Sequence, residues 1–149
     1  RARNGGLNYL YRQGKDGGFT EIAESMGLED PGWTLAVGSV DLNNDGWPDI
    51  VTTNDTQPNF LYINQTDGTF RDDALVAGIA YDETGITRAG MGVATCDLTN
   101  SGKRSIAIGN FSGEPISLYT QASGSAFIDK SRSPSGWYLR ISIWMGSTT

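Results

Sequence analysis

The chain has 149 residues, with 20 Gly, 10% aromatic residues, 19% charged residues and a formal net charge of −6. That length holds one domain with a real core, and plentiful Gly and aromatic residues with few charges suit many short strands joined by turns. His is absent, which excludes His-based general bases, Ser-His-Asp triads and His-ligated zinc and leaves carboxylate or metal chemistry for any catalysis; no strongly basic stripe exists, so nucleic acid is not expected as a partner.

In chain order, Arg1-Ala2-Arg3-Asn4 lacks the apolar stretch of a signal peptide and resembles the interior of a longer protein, so any such peptide is expected upstream. No run of 18 apolar residues is present, and no membrane span is expected. The stretch from Asn8 to Phe19 predicts strand pairing, and Glu21 to Gly27 a brief helical turn. Four short strands follow over 34–40, 50–54, 59–64 and 69–74. They are joined by an Asp-rich loop, a short Asn/Asp/Pro turn and a hairpin-type turn at Asp67-Gly68. Apolar residues alternate in some of these segments and run on in others, as in a sheet covered on both faces.

The chain repeats itself. Asn8-Tyr-Leu-Tyr through Phe19 aligns without gaps on Asn59-Phe-Leu-Tyr through Phe70, and a third copy, from Ser117 to Phe127, keeps Leu118-Tyr119 and the closing Phe. A second module alternates with the first: Leu35 to Asp41 matches Met91 to Asp97, and Ile50 to Asn54 matches Ile106 to Asn110. Repeats of this length with four strands each are the mark of β-propeller blades. The expected architecture is all-β, with four-stranded antiparallel blades in an incomplete propeller. Residues 1–32 are the second half of one blade, 33–88 a blade with the Asp-rich loop, 89–132 a blade with a degenerate loop, and 133–149 an atypical tail. Propellers close with about four to eight blades, so this stretch cannot close a ring alone, and its open edges invite pairing with another chain.

The Asp-rich loop, Asp41-Leu-Asn-Asn-Asp-Gly-Trp-Pro-Asp49, is the strongest functional signal. Hard cations such as calcium take six to eight oxygen ligands at about 2.3–2.6 Å. Asp41, Asn43, Asp45 and Asp49 offer side-chain oxygens at alternate positions, and the carbonyl of Trp47 completes the candidate set. Gly46 permits the sharp turn, and Pro48 enters the next strand without needing a donor. Asp-Asn-Gly clusters also make ordinary turns through side-chain to backbone hydrogen bonds, but such turns need only one or two of these residues. The single Cys96 stands where Val40 stands in the other copy, and a small buried apolar role is expected of it. Three sequons occur, at Asn54, Asn64 and Asn110.

Together, Val40-Asp-Leu-Asn-Asn-Asp-Gly-Trp-Pro-Asp-Ile50, the Asn-x-Leu-Tyr and Asp-Gly-x-Phe pairs, Arg88-Ala-Gly-Met-Gly-Val93 and Gly109-Asn-Phe-Ser-Gly-Glu-Pro115 resemble FG-GAP/VCBS repeats. These are the blades of integrin α-subunit propellers and of secreted proteins of the cartilage acidic protein and UnbV type. The resemblance spans about residues 7–130 and implies Ca2+ held by Asp41, Asn43, Asp45, the Trp47 carbonyl and Asp49. The second loop departs from the pattern, with Thr99, Ser101 and Ser105 in place of Asn or Asp and with Lys103 and Arg104 beside the lone Asp97. One competent site and one relic turn are therefore expected. The tail after Ser131 also departs, having no Asp or Glu from Ser133 to Thr149, which suggests a reading frame truncated or altered near its end.

The resulting expectation is a non-catalytic, calcium-binding scaffold from an extracellular or secreted adhesion or recognition protein, its partners a protein or glycan ligand and the remaining blades of the parent chain. An alternative is a carbohydrate-binding propeller, or the propeller part of a polysaccharide-degrading enzyme, with Trp33, Trp47 or Trp137 stacking on sugars and Asp82-Glu83 reaching a ligand. A third, EF-hand-like reading shares the Asp-x-Asn-x-Asp-Gly start, but it needs flanking helices and an acid at position 12, where Thr52 stands.

Overall fold

The computed structural model describes residues 5–28 and 30–131; the expectations for Arg1 to Asn4, for Trp137 and for the tail from 133 lie outside these residues. A hairpin of β1 (Tyr11–Gln13) and β2 (Phe19–Glu21) leads into the one-turn helix α1 (Ala23–Met26). Next come β3 (Thr34–Val40), β4 (Asp49–Asn54), β5 (Phe60–Asn64) and β6 (Phe70–Asp72), followed by α2 (Ala74–Ala77). A third unit contains β7 (Gly90–Cys96), β8 (Ser105–Asn110), β9 (Ser117–Ser123) and β10 (Ala126–Asp129). The second and third units are four-stranded meanders with each strand antiparallel to the next, so the architecture is all-β and made of blades too few to close a ring.

The repeat extends to irregularities. The first strand of each complete unit is bulged at the same place, between Thr34 and Ala36 and between Gly90 and Gly92. Acidic side chains brace the outer hairpins in the same manner. The Glu21 carboxylate accepts from the N–H groups of Leu10 and Ala23, and Asp72 accepts from those of Leu61 and Ala74. Each acid so ties a strand to the start of the short helix that follows. Both helices stop at a glycine in the left-handed region, Gly27 and Gly78, where a side chain would be strained.

Two apolar clusters hold the units face to face. Val51, Leu61, Ile63 and Ile79 of the second unit interleave with Ile106, Ile108, Tyr119 and Phe127 of the third, while Tyr62, Phe60 and Phe70 pack on Ala23 and Leu28 behind the hairpin. The strand β7 lies close to β3 and β4 because glycine lets it. A Cβ on Gly38 would sit 3.4 Å from Val93, and one on Gly90 would sit 2.8 Å from the Cβ of Thr53.

Two expectations are corrected. The strand expected over 69–74 ends at Asp72, the last residue paired with β5, and a helical turn begins at Ala74, whose N–H is taken by the Asp72 carboxylate. Cys96 is exposed, not buried. Along β3, Gly38 and Val40 face the third unit; Cys96, the counterpart of Val40, lies on the opposite face of β7 from Val93, which packs on the second unit. Its alternation was right, but burial at that slot requires a neighbouring sheet.

Candidate metal centre

The loop between β3 and β4 is wound by its own side chains. Asp41 takes the N–H of Asp45 on Oδ1 at 3.1 Å and that of Gly46 on Oδ2 at 2.9 Å. Asn43 Oδ1 accepts the same Asp45 N–H at 3.0 Å, so oxygens of Asp41 and Asn43 converge on one point. Asp45 accepts from the Trp47 N–H at 2.8 Å and from the Asn43 amide at 2.8 Å. Asn44 and Gly46 adopt φ of 64° and 90°, which bends the chain over these groups.

Asp49 is placed differently. Its side chain is 0% exposed and receives the N–H groups of Leu42 at 2.8 Å and Asn64 at 2.9 Å, one on each oxygen. The structure thus gathers Asp41, Asn43 and Asp45 at the surface and turns Asp49 inward beneath the strand ends, with Trp47 half exposed. Among the described residues, no three His, Cys, Asp or Glu side chains form a metal-holding cluster, so any ion here would depend on Asn43 and backbone oxygen as well. Burial, aided by the charge of Asp45, pushes the carboxyl of Asp49 above its ordinary pKa even though the N–H groups of Asn64, Leu42 and Asn43 oppose the rise. The donors are all oxygen and keep lone pairs beyond those used, a set suited in type to a hard cation.

The loop between β7 and β8 supplies an internal comparison. Asp97 accepts from Thr99, Ser101 and Gly102 N–H groups, and Asn100 and Gly102 adopt φ of 54° and 81°. Burial opposes ionisation of Asp97, but these N–H groups outweigh it and hold the pKa below the usual value. Ser101 accepts from the Lys103 N–H as Asp45 does from Trp47, and bonds Thr99 through its hydroxyl. The same backbone path is therefore closed with one carboxylate and two hydroxyls. Asp45 and Asp49 bring negative charge that closing the turn does not require.

The two loops are joined. Gln121 of β9, 7% exposed, donates to the carbonyl of Leu42 at 2.8 Å and accepts from the backbone N–H of Arg104 at 2.8 Å. Arg104 Nε donates to the Asp41 carbonyl at 3.3 Å, and the Asn44 amide reaches the Gly102 carbonyl at 3.4 Å. Sequence reasoning missed Gln121 and Arg104, because only the unit-to-unit packing brings them to the loop, and it missed that Asn44, within the loop, reaches across to the other. The alignment held one signal: Gln121 occupies the slot of Asn64, which serves the loop of its own unit through Asp49 and the Pro48 carbonyl.

The residues singled out for sugar binding are scattered. Trp33 lines an open cleft of about 530 Å³ with Leu7, Asn8, Leu35 and Asp55, beside the hairpin unit, whereas Trp47 stands on the Asp loop outside that lining. Asp82 does not reach outward. It accepts from Thr84 and Ile86 and pairs with Arg88, organising the connection between units. Of the sequon asparagines, Asn54 is fully buried and its amide donates to the Pro58 carbonyl at 2.6 Å.

The FG-GAP-like repeat family model matches residues 2–52 and 41–108. Cartilage acidic protein 1 of Xenopus tropicalis is 36% identical over 105 residues, covering 69% of this chain and 15% of that protein. The mouse and human proteins of the same name are each 44% identical over 75 residues, covering 50% of this chain and 11% of theirs. The chain thus spans only a small part of these curated relatives. With blades, loop position and matched residues in agreement, the chain belongs to the FG-GAP-like repeat family.

Proposed function

We propose that this chain is a non-catalytic, calcium-stabilised segment of the propeller of an extracellular adhesion or recognition protein, with one cation at the Asp41–Asp49 loop and none at Asp97–Ser105. The observation that carries the reading is the surplus of carboxylate in the first loop over what the second needs to adopt the same turn. Asp41, Asn43 and Asp45 would hold the ion with backbone oxygen from Trp47, and Asp49 would neutralise it from below. The ion would compensate the charge of Asp41 and Asp45 at the surface, which otherwise repel each other. The extracellular setting is supported by the family resemblance to integrin and secreted propellers, and extracellular modules bind calcium at about 10⁻⁴–10⁻³ M. A non-catalytic role is supported by the employment of Glu21, Asp72 and Asp82 in bracing strands, helices and connections.

Thermal melts with and without calcium test the proposal. At ten times the dissociation constant, linkage contributes about 1.4 kcal/mol, so the melting temperature rises with calcium. Asp45→Ser, which copies the second loop, abolishes the rise while keeping the turn. An equal rise in that variant contradicts the assignment.

A further inference from the structure

We infer that Gln121 and Arg104 of the third unit are positioning residues for the cation loop of the second, so that the affinity of that loop is set across the interface between units. The inference rests on the proposed calcium site. In the second unit Asn64 steadies its own loop, donating to the Pro48 carbonyl and offering its N–H to Asp49. In the third unit Ser105 stands where Asp49 would be, and the residue at the slot of Asn64 is Gln121, longer by one methylene. That added reach carries its amide to the neighbouring loop, where it donates to Leu42 O, between two of the proposed ligands.

The amide is fully committed. Its oxygen receives the Arg104 N–H, and its nitrogen also donates to the Gly124 carbonyl at 2.6 Å, so Gln121 is oriented from both ends and is nearly buried. Arg104 adds a second strut, to the carbonyl of Asp41 itself. Together they fix the peptide units on either side of Leu42, which determines where the Asp41 carboxylate and Asn43 point. Neither side chain offers an oxygen to the ion. Their part is to remove loop freedom before the ion arrives, as partners outside a metal's own ligands commonly do.

The test uses charge-conserving variants of the full chain, so that direct electrostatics on the ion are unchanged. Gln121→Met keeps the volume and removes both ends of the amide; Arg104→Lys keeps the charge and removes the Nε strut. Gly90→Ala is the control, since it disturbs the same interface at the far end of β7, six residues from Cys96 and hence about 20 Å from the loop. Calcium titration by calorimetry is run beside melts in chelator. We expect about 10-fold weaker calcium binding in Gln121→Met and Arg104→Lys, and wild-type affinity in Gly90→Ala despite its lower melting temperature. Wild-type affinity in both loop-strut variants overturns the inference while leaving the calcium site standing. Equal weakening in Gly90→Ala also overturns it, because affinity would then follow interface stability alone. A wild-type chain that binds no calcium removes the site and the inference with it.

Discussion

At the scale of single residues, the same side-chain chemistry has been put to opposite uses. Asp97 and Asp82 are held ionised by donors directed at them, whereas Asp49 is buried against the charge of Asp45 and its pKa rises. Burial alone would raise Asp82, but the hydroxyl and N–H of Thr84, the N–H of Ile86 and the Arg88 guanidinium together hold it well below the usual carboxylate range. A carboxyl with a depressed folded pKa stabilises fully above its unfolded value, and that contribution is lost as pH falls through the folded value. Asp82→Asn is therefore expected to lower stability at neutral pH by about 1–3 kcal/mol and to flatten the fall in melting temperature below about pH 4. An acid melting profile parallel to that of the wild type would show that Asp82 carries no such linkage. These roles were hidden in the sequence. An Asp in a connection gives no sign of its donors until Arg88 and Thr84 are folded back on it.

Secondary structure was legible where the repeat was. Asn-x-Leu-Tyr and Asp-Gly-x-Phe marked the last two strands of the first and second units, and Leu118-Tyr119 with Phe127 those of the third, because a tyrosine at one slot and a phenylalanine after a tight turn leave a visible imprint. The helix α2 was not foreseen, since four residues make too short a stretch for any 3.6-residue period, and Phe70 to Ala74 also suits an extended strand. Its counterpart α1 was foreseen, and comparing Ala23 to Gly27 with Ala74 to Gly78 would have exposed both. Between elements, the decisive contact is where β7, the first strand of the third unit, meets β4, the second strand of the second. Gly90 has room for no side chain, its Cβ falling 2.8 Å from Thr53 and 3.2 Å from Ile108. Gly90→Ala should cost about 1–3 kcal/mol by overpacking, seen as a lower denaturant midpoint at unchanged slope. An unshifted midpoint would mean that the strands separate without penalty.

For the whole molecule, burial follows the neighbours each sheet possesses. Leu35 and Val37 are 52% and 67% exposed on β3, while their counterparts Met91 and Val93 are partly covered by the second unit. On the other side Val40 is covered and Cys96 is not. Both open faces follow from the same rule, that a blade is finished only by the blade beside it. This is why periodicity foretold the strands well and the burial of Cys96 wrongly. The site shows the same division. The oxygen-bearing side chains of Asp41, Asn43, Asp45 and Asp49 were visible in one segment, but the inward turn of Asp49 and the contacts from Gln121 and Arg104 belong to the assembled pair of units.

The proposed function stands or falls on one loop of the pair holding a cation while its twin is a metal-free turn. Calorimetric titration of the chain with calcium tests it most directly. One site per chain is expected, lost in Asp45→Ser and unaffected by Asp97→Asn. No binding at millimolar calcium by the folded chain, or two sites of comparable strength, would contradict it.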